Sequence, residues 1–139
     1  MKLTVLGCNG GIGGRDLRTT SLLVDGDILI DAGTGVADLP LAELAAIDHV
    51  FVTHSHLDHI AALPLMIDAV ADLRDQPVTV HATEATLAIL RSHIFNGAIW
   101  PDFAEISVRE RPVMQYSAIR IGERVALGTR AITALPAEH

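Results

Sequence analysis

The chain has 139 residues, half of them hydrophobic, and a formal net charge of −7 at neutral pH. This length suits one domain, residues 1–139, with enough material to bury a core. No apolar run is long enough to span a bilayer, and the acidic balance argues against a broad nucleic-acid surface, which needs clustered Lys and Arg. A single cysteine, Cys8, cannot form an internal disulfide. Composition therefore predicts a soluble, cytoplasmic protein.

The first part of the chain predicts strands joined by glycine turns. Residues 2–6 read Lys-Leu-Thr-Val-Leu, a short strand, and a glycine-rich loop follows at residues 7–14. Residues 20–33 contain two apolar segments separated by Asp25-Gly26, a dipeptide suited to a tight β-hairpin turn. Residues 40–46 begin with proline and predict a short helix.

The middle of the chain alternates strands and helices. Residues 49–53 form an apolar strand, after which apolar residues at helical spacing predict a helix from about His59, with Pro64 in its first turns. Residues 77–83 predict another strand. The segment 83–94 predicts a second helix with its first residue, a threonine, as N-cap.

The last segment, residues 106–136, alternates in short runs that predict strands joined by turns at Gly122 and Gly128. Strands with interspersed helices indicate an α/β or α+β protein. Because hairpins are frequent, we expect a mixed sheet with flanking helices.

Four potential metal ligands fall within six consecutive positions directly after the strand at residues 49–53: His54, His56, Asp58 and His59. Imidazole and carboxylate are common ligands of Zn²⁺. In extended chain, His54 and His56 point the same way because side chains alternate with a period of two. A lone histidine is more often a hydrogen-bonded surface residue, but three clustered imidazoles would repel one another when protonated. A metal site explains the cluster better.

The pattern H-x-H-x-D-H after a strand resembles the metallo-β-lactamase superfamily, a group of hydrolases with an αββα sandwich. The Asp-Ala-Gly turn at residues 31–33 is similar to a turn of that superfamily. Within it, residues 54–64 ("HSHLDHIAALP"), residues 93–103 ("HIFNGAIWPDF") and the glycine loop resemble class II 3′,5′-cyclic-nucleotide phosphodiesterases. The resemblance extends over essentially the whole chain.

The resemblance implies two divalent metal ions, with zinc expected. The protein ligands it implies are His54, His56 and His139 for the first ion, and Asp58 and His59 for the second. Asp31 would orient a ligand through hydrogen bonds. In this chemistry a metal-activated hydroxide attacks phosphorus and a nucleoside 5′-monophosphate is released. Asp58 is also a candidate catalytic residue, which would position the hydroxide or pass a proton to the leaving oxygen.

The substrate implied by the resemblance is a small cyclic nucleotide, with residues 93–103 lining its pocket. Within that segment Phe95, Asn96 and Trp100 are the predicted substrate-binding residues, and Phe95 or Trp100 would stack on the base. The alternative, that these aromatic residues belong to the core, stays open.

The superfamily pattern continues past His139 with a bridging aspartate, a final histidine and a second sheet. The resemblance therefore implies that this chain corresponds to roughly the N-terminal half of an αββα sandwich. A sheet face without its covering half would expose apolar surface, so we expect copies of the chain to associate as a homo-oligomer.

Three other interpretations remain. A dinucleotide-binding oxidoreductase is disfavoured because the glycine loop lacks the last glycine of G-x-G-x-x-G. A superfamily hydrolase acting on another ester, on a lactam or thioester, or on RNA ends is compatible with the histidine motif. A fragment without catalytic activity is the third interpretation.

Overall fold

The computed structural model describes residues 1–137, and in this part of the chain it confirms a mixed α/β architecture. The strands are β1 (Leu3–Gly7), β2 (Ser21–Val24), β3 (Ile28–Ile30), β4 (His49–Phe51), β5 (Val78–Ala82), β6 (Ser107–Val108), β7 (Arg111–Pro112), β8 (Met114–Ala118), β9 (Arg124–Leu127) and β10 (Arg130–Thr133). The α-helices are α1 (Leu41–Ala45), α2 (Leu57–Ile60), α3 (Leu63–Val70) and α4 (Glu84–Ile89). Short 3₁₀ turns occupy Thr34–Asp38 and Ala71–Leu73, and a π turn at Leu90–Ile94 extends α4.

The central sheet has six strands in the order β1-β2-β3-β4-β5-β8. β1, β2 and β3 pair antiparallel, whereas β3, β4, β5 and β8 pair parallel, so the sheet is mixed as predicted. The predicted hairpin turn lies between β2 and β3, where Asp25 and Gly26 both have positive φ angles of 53° and 92°. Because four strands run parallel, the segments that follow them meet at one edge of the sheet.

One face of the sheet forms the main core. Val50, Val78 and Val80 point into it and pack against Leu63 and Ile67 of α3, all fully buried. The chain folds this way because α3 presents apolar residues at helical spacing to the apolar positions of the parallel strands.

The opposite face of the sheet is covered unevenly. Ile28 and Phe51 are buried there, and Phe51 lines a cleft together with Ile132 of β10. At the outer edge, Leu3 and Val5 of β1 are each 57% exposed. This second face is therefore apolar and only partly covered by residues 1–137.

The predicted helix after the histidine cluster is wrong in one respect, since it is interrupted. It begins at Leu57, stops at Ile60, and resumes at Leu63 as α3, with Pro64 in the first turn of the second segment. The break arises because the Ala62 amide donates to the Ala32 carbonyl (2.9 Å) in the Asp-Ala-Gly turn. That tertiary hydrogen bond replaces the one that would have continued the helix.

The other predicted elements are found close to their expected positions. The Thr83 hydroxyl caps α4 by accepting from the Thr86 amide (3.4 Å), and Gly122 and Gly128 turn the chain at positive φ angles of 84° and 62°. Strand β4 ends at Phe51, earlier than predicted. Within residues 1–137, no helix is both long and apolar enough to cross a membrane.

Candidate metal centre

The residues of the predicted metal site gather at the edge of the sheet where the parallel strands end. Asp31 directly follows β3, and the histidine cluster follows β4 and enters α2. The parallel register pairs Ile30 with Phe51, which places the residues after each strand side by side. Two segments that are distant in sequence therefore contribute to one site.

Three imidazoles lie close together at this edge. The ring centroid of His54 is 4.7 Å from that of His56 and 4.1 Å from that of His59. The Asp58 carboxylate reaches within 3.4 Å of His59 Nε2. The fold therefore brings together the four clustered residues that the sequence predicted as ligands.

Asp31 lies beneath the histidine cluster and hydrogen-bonds to residues of it and beside it. Its side chain is buried, and its backbone adopts a left-handed conformation with φ of 57°. The carboxylate accepts a hydrogen bond from His59 Nδ1 (2.7 Å) and another from the Thr53 amide (2.8 Å). Since His59 donates through Nδ1, its lone pair lies on Nε2, the nitrogen that would ligate a metal. The predicted orienting role of Asp31 is consistent with this geometry.

Thr53 is a functional candidate that sequence reasoning missed. Its hydroxyl lies 2.8 Å from Asp31 Oδ2 and 3.0 Å from His54 Nδ1. A hydroxyl has one proton, which it donates to the carboxylate, so it accepts from His54 Nδ1–H. This arrangement again places the imidazole lone pair on Nε2. The signal in the sequence was a hydroxyl residue between a strand end and the first histidine.

A close approach of two turns fixes the floor of the site. The Ala32 amide donates to the His59 carbonyl (2.7 Å), and a Cβ added at Gly33 would lie 2.4 Å from the Asp58 carbonyl oxygen. Only glycine fits at this contact, which explains the Asp-Ala-Gly turn beside the histidine motif.

The donor set fits divalent cations chemically, because neutral imidazole and carboxylate are the usual protein ligands of zinc. Within residues 1–137, no group of three or more His, Cys, Asp or Glu side chains already has the arrangement that holds one ion. His139, the third ligand predicted for the first ion, lies outside the described residues. The fit therefore rests on the clustered imidazoles and on the hydrogen bonds that orient His54 and His59.

A cleft of about 570 Å³ opens beside these residues. Its polar floor comprises Asp31, Thr53, His54 and His59, and its wall is largely apolar. The side chains that form this wall include Ile30, Phe51, Val52, Ile119, Ile121, Ile132 and Leu135. The described residues that line the cleft include no Lys or Arg.

The three predicted substrate-binding residues do not line this cleft. Phe95 is 1% exposed and lies in the core, 6.4 Å from the ring of Phe103, which is the alternative left open by the sequence. Asn96 uses its amide oxygen to accept from the Ala98 amide (2.9 Å), so it stabilises its own loop. Trp100 is half-buried against the core. A substrate-binding role for these residues stays a prediction.

A second pair of histidines lies below the cleft wall. His81 is 4% exposed, its Nε2 lies 3.0 Å from His49 Nδ1, and its ring stacks on Phe51 at 4.3 Å. Burial lowers the pKa of His81 to about 4, and it also lowers the pKa of His49. Both imidazoles are therefore neutral at neutral pH. The His81 ring supports Phe51 in the cleft wall, and His49 contacts His81.

The chain is similar in sequence to known proteins over most of its length. The family profile described as "Beta-lactamase superfamily domain" matches residues 27–139. A probable 3′,5′-cyclic-nucleotide phosphodiesterase of Yersinia pestis is 24% identical over 95% of this chain and 45% of its own length. A ribonuclease Z of Haloarcula marismortui is 29% identical over 91% of this chain and 45% of its own length.

Among solved structures, unliganded yeast PDE1 superimposes with a TM-score of 0.70 and 18% identity, over 91% of this chain and 52% of that one. The chain thus spans about half the length of the relatives it matches.

Proposed function

The chain belongs to the β-lactamase superfamily and has the metallo-β-lactamase fold, and from this premise we propose that it serves metal-dependent hydrolysis of phosphodiesters, with a 3′,5′-cyclic nucleotide as substrate. One observation supports this most strongly. His59 and His54 are both fixed through Nδ1, directly by Asp31 and through Thr53, so that each presents Nε2 for coordination.

Two divalent ions, proposed to be zinc, would be held by the clustered residues. His54 and His56, with His139, would hold the first ion, and Asp58 and His59 would hold the second. The chemistry that such ions supply when bound is activation of water near neutral pH and neutralisation of charge on phosphoryl oxygens.

The residues of the chain contribute orientation and proton transfer. Asp31 and Thr53 keep the imidazoles in one tautomer and one ring orientation, which removes the cost of ordering them during the reaction. The Asp58 side chain is 32% exposed, and its carboxylate lies 3.4 Å from His59 Nε2. From there its carboxylate can accept a proton from the attacking water and pass that proton to the leaving 3′ oxygen.

The cleft supports a compact substrate. Its volume of about 570 Å³ lies in the range of small-molecule sites. Its apolar wall suits a nucleobase, and neither the wall nor the net charge of −7 favours a polyanionic strand. These features favour a cyclic nucleotide, which carries a single phosphodiester charge.

Cleavage of RNA is the second candidate function. The relative from Haloarcula marismortui is named a ribonuclease Z and covers this chain almost as fully as the phosphodiesterase relative does. Both candidates use the same hydrolytic chemistry at a phosphodiester, so only the substrate separates them.

The test is metal content by mass spectrometry together with turnover of cyclic AMP, cyclic GMP, bis-p-nitrophenyl phosphate and a precursor tRNA. We expect bound zinc and turnover of a cyclic nucleotide, both lost in His54→Ala. Bound zinc should be retained in the matched control His93→Ala, since His93 is exposed and outside the cluster. Cleavage of the precursor tRNA alone would establish the second candidate. Turnover of none of these substrates by the metal-loaded protein would overturn the proposal.

A further inference from the structure

The β9–β10 hairpin crosses the partly covered face of the central sheet. Its two strands pair from Arg124 to Thr133 through a two-residue turn at Gly128 and Thr129. All eight strand residues are half-buried or exposed. A hairpin without a buried side chain of its own gains little from apolar packing, so its position depends on specific contacts.

A backbone hydrogen bond and an ion pair hold the hairpin segment at two places. At its beginning, the Ile119 amide donates to the Ala82 carbonyl (2.9 Å) at the end of β5. At the start of β10, the Arg130 guanidinium donates to both oxygens of Asp27, with Nη1 at 2.6 Å and Nη2 at 2.5 Å, and Nη1 also reaches Asp25 at 3.3 Å. A bidentate guanidinium–carboxylate pair fixes the relative orientation of the two side chains as well as the distance between them.

Asp27 is itself held firmly. Its carbonyl accepts from the amides of Asp48 (2.9 Å) and His49 (3.1 Å), which ties it to the start of β4. The hydrogen bonds from Arg130 lower the pKa of the Asp27 carboxyl below its usual range, so the ion pair is fully charged at neutral pH.

The position of Arg130 matters because of where β10 leads. Asp27 precedes β3, at the edge of the sheet opposite the metal cluster, and β10 runs from there towards the cluster. Its residue Ile132, and Leu135 just beyond it, line the cleft together with His54 and His59. The Arg130–Asp27 pair at the start of β10 thus fixes the position of Ile132 and Leu135 in the cleft wall at its other end.

We propose that Arg130 is a positioning residue: through Asp27 and Asp25 it holds the β9–β10 hairpin against the sheet and so sets the apolar cleft wall beside the metal cluster. Its effect on substrate binding rests on the function proposed above. Its effect on the hairpin does not.

Amide hydrogen exchange tests the anchoring directly. In Arg130→Met, which keeps the aliphatic stem, we expect exchange in β9 and β10 to accelerate roughly tenfold, because the hairpin opens more often without its ion pair. Exchange in β5 should stay at the wild-type rate. Asp27→Asn should reproduce the pattern, and Arg109→Met, which removes an exposed pair with Asp75 elsewhere, should not.

Unchanged exchange in the hairpin of Arg130→Met and Asp27→Asn would overturn the proposal. Equal acceleration in β5 would also overturn it, because Arg130 would then contribute only to global stability. For turnover, we expect Arg130→Met to raise KM for bis-p-nitrophenyl phosphate several-fold with kcat little changed; an unchanged KM would refute the positioning of the cleft wall. If the wild-type protein hydrolyses no phosphodiester, the function fails while the exchange result still decides the anchoring.

Discussion

Acidification should destabilise the protein through His81. The imidazole is buried on the sheet, stacked on Phe51 and hydrogen-bonded to His49, and its pKa is lowered to about 4 by burial. In the unfolded chain the pKa is that of a free histidine, 6.5. Between these values the unfolded state binds the proton more readily, so stability present above pH 6.5 is lost as the pH falls towards 4.

The magnitude follows from that separation. A pKa difference of about 2.5 units at about 1.4 kcal/mol per unit gives about 3.5 kcal/mol lost from the free energy of unfolding. This is a sizeable share of the stability of a small domain. Four charged groups near the His49–His81 pair affect the pKa of His49, the more accessible of the two. They are Asp27, Asp48, Arg74 and Arg130. The two carboxylates favour protonation of His49 and the two guanidinium groups oppose it. For His81, burial is the main cause of the lowered pKa.

The assay is urea unfolding at a series of pH values from 7.5 to 4.5, on the wild type, on His81→Phe and on the exposed-histidine control His93→Phe. We expect the free energy of unfolding to fall steeply with acidification in the wild type and the control, and less steeply in His81→Phe. NMR titration of the His81 imidazole should give a pKa near 4. An equal pH slope in all three proteins, or a measured pKa near 6.5, would show that burial of His81 does not make stability depend on pH.

Three further predictions concern the site and the surface. Asp31→Asn should weaken zinc affinity by about 10–100-fold, because the amide cannot hold His59 in the required tautomer as a carboxylate does; zinc titration by calorimetry checks this, and unchanged affinity would contradict it. Gly33→Ala should destabilise the fold by about 1–3 kcal/mol, since the new methyl group meets the Asp58 carbonyl; thermal unfolding at the wild-type Tm would argue against the close contact. Val5→Lys should reduce self-association of the chain, because Val5 at the β1 edge is 57% exposed and a lysine there makes the edge less apolar. Sedimentation velocity measures this, and a monomeric wild type would contradict the expectation.

The proximity of the four candidate ligands could be predicted because the information for it is local. His54 and His56 alternate along an extended segment, and Asp58 and His59 follow in the next turn, so their proximity needs no tertiary structure. The hairpin at Asp25 and its turn were likewise encoded by a short stretch of sequence.

The remaining features depend on contacts between distant segments. His81 meets His49 only because β4 and β5 pair in parallel with a particular register, which neither strand specifies alone. The helix break before Leu63 results from a hydrogen bond to Ala32, about thirty residues earlier. The role of Thr53 likewise depends on a carboxylate from another strand.

X-ray absorption at the zinc edge will show whether the clustered imidazoles bind divalent cations. We expect a nitrogen and oxygen shell at about 2.0–2.1 Å from the zinc, with the outer-shell signature of coordinated imidazole. That signature should be lost in the His54→Ala, His56→Ala double variant and retained in His93→Ala. Zinc bound without imidazole scattering, or an identical spectrum from the double variant, would contradict the claim.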